Sequence, residues 1–266
     1  MKSGSVSSAA ELVTDLASRG RYHFTTREAE RALGTSTVAT RASLRRLKQK
    51  RSLASPCRGF HVIVPPEYRR LGCLPAEQFV PELMAHLGLA YYVALLSAAQ
   101  VHGAAHQQPQ VFQVMVKKNR APIACGEVRV KFVARRNADL IPVIERNTPR
   151  GSMRVSTPEG TAFDLVGYPQ HAGGLDHAAT VLAELAELLD GEAIARVAPF
   201  SPVPWAQRLG YLLEQVGGSD RTDPLADYVR AAARETTLLD PKRGPRHGER
   251  VSRWKLAVNA DMVPDL

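Results

Sequence analysis

Cysteine is scarce in this 266-residue sequence, and long apolar runs are absent. The three cysteines (Cys57, Cys73 and Cys125) are odd in number and widely spaced, and no Cys-x-x-Cys pair occurs, which excludes a disulfide framework and a thiolate zinc site. No apolar run approaches the roughly 18 residues of a membrane span, and the first residues lack the basic-then-apolar order of a signal peptide. These absences predict a soluble cytoplasmic protein without membrane association, whose cysteines are small apolar residues or inert thiols.

The sequence also lacks the short motifs of common enzyme sites. Neither the phosphate-binding patterns G-x-G-x-x-G and G-x-x-x-x-G-K-[ST] nor the catalytic patterns G-x-S-x-G and H-E-x-x-H occur. His102 and His106 have the spacing of two metal ligands on a helix, but Gly103 ends the helix there and no third ligand is nearby. We therefore predict no metal site, no cofactor and no enzymatic activity.

Three carboxylates offer an alternative to this prediction. Glu159, Asp164 and Glu214 would together bind the cation of a metal-dependent nuclease. Helix capping by Glu159 and a hydrogen bond or salt bridge of Asp164 explain the same residues more simply. A nucleic-acid-processing enzyme is therefore the weakest of the functional hypotheses.

Net charge divides the chain unevenly. Residues 1–70 hold 14 Lys and Arg against 5 Asp and Glu, whereas residues 71–266 hold 21 of each, so the whole excess of +9 lies in the first quarter. A localised positive charge of this size is typical of a nucleic-acid binder attached to a neutral body. We predict two domains, at residues 1–70 and 71–266.

The first seventy residues predict a winged helix-turn-helix. Ser, Thr and Gly residues cap and end each helix, and an alternating apolar stretch follows a turn. The predicted elements are helices from Ser8 to Arg19, from Thr26 to Leu33 and from Thr37 to about Lys50, and a hairpin of Leu53–Ala54 and Phe60–Val64 around the turn Ser55–Gly59.

The third helix has the pattern of a recognition helix. Leu44 and Leu47 share one face with Thr40, and the opposite face carries Arg41, Arg45 and Gln49. An apolar stripe that docks on the other helices and a polar face that enters the major groove are what such a helix needs. Exposed solubilising helices usually mix both signs of charge, but no acidic residue occurs from residue 35 to 66.

Residue type assigns the roles at this surface. Arg41 and Arg45 are expected to contact guanine edges or phosphates, and Thr37 a base edge or phosphate near the helix start. Lys48, Lys50 and Arg51 are expected to neutralise phosphates. The predicted DNA-binding residues are Thr26, Arg27, Ser36, Thr37, Arg41, Arg45, Arg46, Lys48, Gln49, Lys50, Arg51 and, at the wing tip, Arg58.

The second domain is predicted to be mixed α+β, with strands early and helices late. One expectation is a helix from Tyr91 or Tyr92 to about Val101. Further predicted elements are strands at 111–116 and 128–133, a helix after Thr157–Pro158, helices at 177–189, 204–216 and 225–235, and a strand-like segment at 254–259.

Four segments of this domain resemble the AbiEi family of antitoxins, from type IV abortive-infection toxin–antitoxin systems. They are YYVALLSAAQVHG, STPEGTAFDLV, RLGYLLE and LLDPKRGPRHGERVSRWKLAVN, in that order behind the winged helix-turn-helix. The resemblance implies an N-terminal domain that binds inverted repeats in its own promoter and represses the operon. It implies a C-terminal domain that neutralises a cognate nucleotidyltransferase-like toxin, and no catalytic site. Inverted repeats would take two copies of the protein.

A second basic stretch lies within the predicted antitoxin domain. From Lys117 to Arg154 there are ten basic residues against three acidic ones, and Arg129 and Lys131 alternate with apolar residues on a predicted strand. This face is either a toxin-binding surface or a second nucleic-acid surface, and the alternative is a solubilising sheet face. Its residues are Lys117, Lys118, Arg120, Arg129, Lys131, Arg135 and Arg136.

Two other functions remain open from the sequence. One is a stand-alone winged-helix transcriptional regulator whose C-terminal domain senses a ligand or a protein. The other is the nucleic-acid-processing enzyme built on the three carboxylates.

Overall fold

The computed structural model describes residues 7–104, 109–244 and 248–260. The first part of the chain forms three helices, and each begins where a side chain accepts a hydrogen bond from a free backbone amide. Helix α1 (Ala9–Ser18) follows Ser8, whose Oγ accepts from the amide of Glu11 at 3.2 Å. Helix α2 (Thr26–Leu33) begins with a capping box between Thr25 and Glu28. Helix α3 (Thr37–Gln49) follows Ser36. The three predicted helices are therefore confirmed, each at its predicted cap.

A three-stranded antiparallel sheet completes the winged helix-turn-helix. Its strands are β1 (His23–Thr25), β2 (Leu53–Cys57) and β3 (Phe60–Ile63), in the order β1-β3-β2. The predicted hairpin is present, but β2 runs on to Cys57 with an irregular register after Ala54, so the turn is shorter than predicted. Strand β1 was not predicted. The buried core of this domain consists of Ala9, Leu12, Phe24, Ala29, Leu44, Leu53 and Ile63.

The chain folds as two compact units that interleave along the sequence. Unit 1 comprises Met1–Tyr91, Gln110–Ala134 and Glu145–Arg154, and unit 2 comprises Tyr92–Pro109, Arg135–Ile144 and Val155–Leu266. A cut between residues 70 and 71 would therefore divide unit 1. The two-domain boundary proposed from the sequence remains a prediction.

Beyond the winged helix-turn-helix, unit 1 holds a helix and several strands. Helix α4 is Val80–Leu87, and strand β4 is Tyr91–Val93, whose last two residues belong to unit 2. Strand β7 (Val128–Ala134) pairs in parallel with β5 (Phe112–Val116) and antiparallel with β6 (Ile123–Cys125). Strands β8 (Val143–Thr148) and β9 (Gly151–Ser156) also cross from one unit to the other.

The segment Tyr91–Val93 corrects one prediction. The sequence predicted a helix from Tyr91 or Tyr92, but these residues form a buried strand, and helix α5 begins only at Leu95. Aromatic and β-branched side chains favour this extended conformation when a neighbouring strand can pair with it. Here Val93 pairs in parallel with Val155 of β9.

The later segments of unit 1 contact the winged helix-turn-helix and the residues that follow it. The Arg150 guanidinium lies 3.4 Å from the centre of the Tyr22 ring, and its Nε donates to Gln78 Oε1 at 2.8 Å. The amide of Glu127 donates to the Leu71 carbonyl at 2.8 Å. Unit 1 therefore includes these segments through specific side-chain and backbone contacts.

Unit 2 is mainly helical around one apolar core. Its helices are α5 (Leu95–Val101), α6 (Pro158–Gly167), α7 (Leu175–Leu185), α8 (Gly191–Val197), α9 (Val203–Gln215) and α10 (Asp223–Ala232). A small sheet of β10 (Thr237–Leu238), β11 (Arg250–Val251) and β12 (Leu256–Ala257) has the order β10-β12-β11. Helix α8 was not predicted, and the strand predicted at 254–259 is reduced to Leu256–Ala257.

Trp254 anchors the end of the chain in this core. Its side chain is fully buried, and its ring lies so close to Gly210 in α9 that any Cβ at Gly210 would overlap it. This contact explains the glycine of the RLGYLLE segment, since only a residue without a side chain admits the indole there. Trp254 is therefore a core residue of unit 2.

Within the described ranges, no helix is both long enough and apolar enough to cross a membrane.

Candidate nucleic-acid interface

Helix α3 docks on the winged helix-turn-helix core through the face predicted from its sequence. Thr40 and Leu44 are buried, and Leu47 packs against the same core. The hydroxyl of Thr40 lies 2.9 Å from that of Thr35, so this buried polar group has a hydrogen-bond partner. Thr40 therefore occupies a buried position of α3 without leaving its hydroxyl unsatisfied.

The opposite face of α3 is open and basic. Arg41, Arg45 and Gln49 are exposed there. Val38 lies three positions before Arg41 and seven before Arg45, on the same face, and its side chain is 79% exposed. Val38 was not among the predicted DNA-binding residues, although the spacing of α3 already places it off the buried stripe.

The remaining predicted DNA-binding residues surround this face. Ser36 caps α3 by accepting from the Ala39 amide at 3.3 Å, and Arg46 donates to Ser43 Oγ at 3.1 Å. The other predicted side chains are exposed, apart from the half-buried Thr26; they are Arg27, Thr37, Lys48, Lys50, Arg51 and Arg58. Arg58 lies at the tip of the wing, beside Gly59 in the left-handed conformation with a φ of 83°.

His61 joins the start of α2 to the wing, a role that sequence reasoning missed. Its Nε2 lies 2.8 Å from Thr26 Oγ1, and its Nδ1 lies 2.7 Å from Ser55 Oγ. Burial of the ring, together with the positive charge of Lys48, lowers the pKa of His61 from 6.5 to about 4. The neutral ring therefore holds α2 and β2 at fixed positions, and Thr26 uses its hydroxyl for this contact.

The predicted basic face is divided between the two units. Its members in unit 1 include Arg129, which is exposed on β7 between the buried Val128 and Val130, as the alternation predicted. The others in unit 1 are Lys117, Lys118, Arg120 and Lys131. Arg135 and Arg136 belong to unit 2.

Arg135 was predicted to belong to the exposed basic face, but its side chain is only 3% exposed. Its guanidinium forms an ion pair with Asp164 and donates to Ser201 Oγ at 2.7 Å. The ring of Trp205 lies 5.3 Å from the guanidinium carbon. A buried arginine is retained only with such partners, so Arg135 is not available to a surface ligand.

Asp164 is the acidic partner of this buried pair. Its side chain is completely buried, and the hydroxyl of Tyr92 donates to its Oδ1 at 3.4 Å. Burial raises the pKa of Asp164, and the charge of Arg135 opposes that rise. The salt bridge expected for Asp164 from the sequence is therefore confirmed.

The three carboxylates of the nuclease hypothesis have separate partners. Glu159 accepts from the amide of Asp190 at 3.3 Å, and Glu214 accepts from Trp254 Nε1 at 2.8 Å and pairs with Arg253 at 2.9 Å. Among the residues that the structure describes, no group of three or more His, Cys, Asp or Glu side chains could hold a metal ion. His102 contacts the carbonyl of Ser156 at 2.8 Å, and His106 lies outside the described residues.

One solved structure shares the fold of this chain over most of its length. The chain is similar to the crystal structure of the RV2827C protein from Mycobacterium tuberculosis, with a TM-score of 0.65, 20% identity, and coverage of 93% of this chain and 90% of that chain. A second likeness is to an antigenic nucleotidyltransferase-like protein from Paracoccidioides brasiliensis, with a TM-score of 0.38, 11% identity, and coverage of 56% of this chain and 90% of that one. No curated protein sequence matches the chain.

The C-terminal part of the chain matches a family model. Residues 92–215 match the AbiEi antitoxin C-terminal domain, and this range includes Tyr92, Arg135, Asp164, Ser201 and Trp205 of the buried cluster. The resemblance recognised in the sequence is thereby confirmed. Residues 92–215 of the chain therefore form an AbiEi antitoxin C-terminal domain.

Proposed function

We propose that this protein is an autoregulatory antitoxin that binds double-stranded DNA in its own promoter through unit 1. The observation that carries the proposal is the division of helix α3 into two faces. One face buries Thr40 and Leu44, and the other exposes Arg41, Arg45 and Gln49. The helix and the wing contain no acidic residue to repel phosphate.

Each exposed side chain is assigned a contact by its chemistry. Arg41 and Arg45 bind guanine edges or phosphates, and Val38, about one turn before Arg41 on the same face, contacts a thymine methyl group. Lys48, Lys50 and Arg51 neutralise phosphates as the helix leaves the groove, and Arg58 contacts the backbone or a neighbouring groove from the wing. Two copies of the chain occupy the two halves of an inverted repeat.

The second half of the proposal is that the AbiEi domain opposes a cognate nucleotidyltransferase-like toxin. The family match to an antitoxin domain supports this role, and it favours regulation over catalysis. Of the predicted basic residues in unit 2, Arg136 is exposed and is a candidate for contacting the toxin, whereas Arg135 is not.

One experiment separates the two halves in the whole protein. The full chain and an Arg41→Ala/Arg45→Ala variant are each co-expressed with the neighbouring toxin gene and with a reporter under the operon's promoter. We expect the variant to lose repression and to keep neutralisation, since only α3 is altered. Arg196→Ala/Arg234→Ala, two exposed arginines of unit 2, is the charge-matched control for repression.

Each half can fail separately. Repression by the variant equal to that of the wild type would overturn the DNA-binding role of α3. Absence of rescue by the wild-type chain would overturn the antitoxin role.

A further inference from the structure

In the folded protein the excess of positive charge lies in unit 1. Unit 1 holds 22 Lys and Arg against 9 Asp and Glu, a net charge of +13, whereas unit 2 holds 13 against 17, a net charge of −4. The fold therefore adds eight of the ten basic residues of the second basic stretch to the unit that carries α3 and the wing. Such a field attracts a polyanion to one unit.

The loop between β5 and β6 carries three basic residues of this second stretch. Lys117 and Lys118 are exposed, and Arg120 is half-buried with its guanidinium 5.9 Å from the centre of the Phe132 ring. From Phe112 to Gly126 the chain has no acidic residue. The segment therefore adds three positive charges and no acidic residue to unit 1.

Contacts within unit 1 hold this loop next to the wing. Strand β6 packs against β2, the first strand of the wing, and the Cys125 sulfur in β6 interacts with the backbone of Ser55 in β2. At Gly126 the chain passes so close to Leu71 and Gly72 that a side chain there would overlap their backbone. The loop thus leads into strand β6, which packs on the wing, and the chain after β6 lies against residues 71–72.

Arg120 lies near enough to Cys57, the last residue of β2, for its charge to act on the thiol. Burial raises the pKa of the Cys57 thiol, and the nearby positive charge of Arg120 opposes that rise. Cys57 is adjacent in sequence to Arg58, the predicted wing contact. Arg120 therefore adds a positive charge close to the end of β2.

We propose that Lys117, Lys118 and Arg120 contact the phosphate backbone of the same DNA duplex that α3 and the wing bind, which lengthens the bound site on the wing side. The proposal rests on the proposed DNA-binding function and adds a third contact element to it. Arg129 and Lys131 are not part of this contact, because they alternate with the buried residues of β7 and project from its other face.

The test measures DNA binding by fluorescence anisotropy at salt concentrations between about 50 and 200 mM, where each phosphate contact contributes about 0.9 to the slope of log K against log salt. Three full-length proteins are compared on promoter DNA and on an unrelated duplex of equal length. They are the wild type, a loop variant (Lys117→Gln, Lys118→Gln, Arg120→Gln) and a charge-matched control from unit 2 (Arg196→Gln, Arg230→Gln, Arg234→Gln). Thermal melts verify that each protein is folded. If the loop variant is not folded, the single variant Lys118→Glu replaces it in the comparison.

The expected result is that the loop variant loses about 2 to 3 from the magnitude of the salt slope and about 10-fold to 100-fold in affinity on both duplexes. The control should keep the wild-type slope. An unchanged slope in the loop variant, or loss of toxin neutralisation without loss of DNA binding, overturns the inference.

The same data keep the inference distinct from the proposed function. If the wild type binds both duplexes equally and the loop variant weakens both, the loop contact stands and promoter-specific repression fails. If both proteins prefer the promoter and the loop variant has the same salt slope as the wild type, the proposed function stands and the loop contact fails. If the wild type binds neither duplex, both fail.

Discussion

The Oγ1 atom of Thr26 and the Nε2 atom of His61 lie 2.8 Å apart, and through the same imidazole Thr26 is connected to Ser55 in the wing. Helix α2 begins at Thr26, and α3 follows it after a short turn. The ring therefore helps to fix the wing relative to the helices that carry the proposed DNA contacts. This contact works with a neutral ring, and burial keeps the pKa of His61 at about 4.

Stability is predicted to depend on His61 between pH 6.5 and pH 4. In this range the unfolded chain binds a proton that the folded ring does not, so the free energy of unfolding falls as the pH falls. The stabilisation is complete above about pH 6.5, and roughly 2 kcal/mol is lost between pH 7 and pH 5. Urea unfolding at a series of pH values measures the loss.

The control for this prediction is His61→Gln, which keeps a hydrogen-bonding side chain but does not titrate. Burial also lowers the pKa of His23, so the variant keeps that contribution and the difference between the two proteins reports His61. An equal loss of stability with pH in both proteins would contradict the assigned role.

Val38 is predicted to contact a thymine methyl group in the bound promoter. Replacing thymine by deoxyuridine removes one methyl group, and burial of such a group contributes about 0.8 kcal/mol, or about fourfold in affinity. We expect this loss for the wild type at one or more operator positions and no loss for Val38→Ala at those positions. Thermal stability should not change, because the side chain is exposed in the free protein. Equal sensitivity of both proteins at every position would rule out the contact.

The ion pair of Arg135 and Asp164 is predicted to be essential for the folding of unit 2. Arg135→Met leaves a carboxylate in the core without its cation, at a cost of about 3 to 5 kcal/mol. Replacing both residues (Arg135→Met with Asp164→Leu) should restore much of this loss, because no unpaired charge then remains. Arg136→Met, at the exposed neighbouring position, is the matched control. Similar denaturation midpoints for Arg135→Met and Arg136→Met would refute the prediction.

Gly210→Ala is predicted to destabilise the protein although it lies within a helix. Helix propensity alone would favour alanine by about 1 kcal/mol. The added methyl group would overlap the buried Trp254 ring, and overpacking of this kind costs about 1 to 3 kcal/mol. Gly244→Ala is the control, since no atom lies within 4 Å of its added Cβ. A higher melting temperature for Gly210→Ala than for the wild type would show that the core absorbs the methyl group.

The parts of the fold that depend on local chemistry were predictable from the sequence. Capping residues and apolar spacing placed α1, α2 and α3 correctly, because these signals lie within the helices themselves. The three-residue strands β1 and β4 were not predictable, since a strand that short exists only through its pairing partner.

The features of the candidate site also divide into those that local sequence predicts and those that depend on distant residues. The buried and exposed faces of α3 followed from its periodicity. The burial of Arg135 did not, because its partner Asp164 is 29 positions away and the sequence shows only an arginine among other basic residues. The contact of the β5–β6 loop region with the wing also depends on chain segments that are far apart in sequence.

The central claim is that the outer face of α3 reads the promoter, and a binding titration on promoter DNA tests it most directly. The full-length wild type is compared with Arg41→Ala, Arg45→Ala and Lys50→Ala on the promoter and on a scrambled duplex of equal length. We predict that Arg41→Ala and Arg45→Ala each lose about 1 to 3 kcal/mol on the promoter and little preference remains, whereas Lys50→Ala weakens both duplexes alike and flattens the salt dependence. Unchanged promoter affinity in both arginine variants would contradict the account.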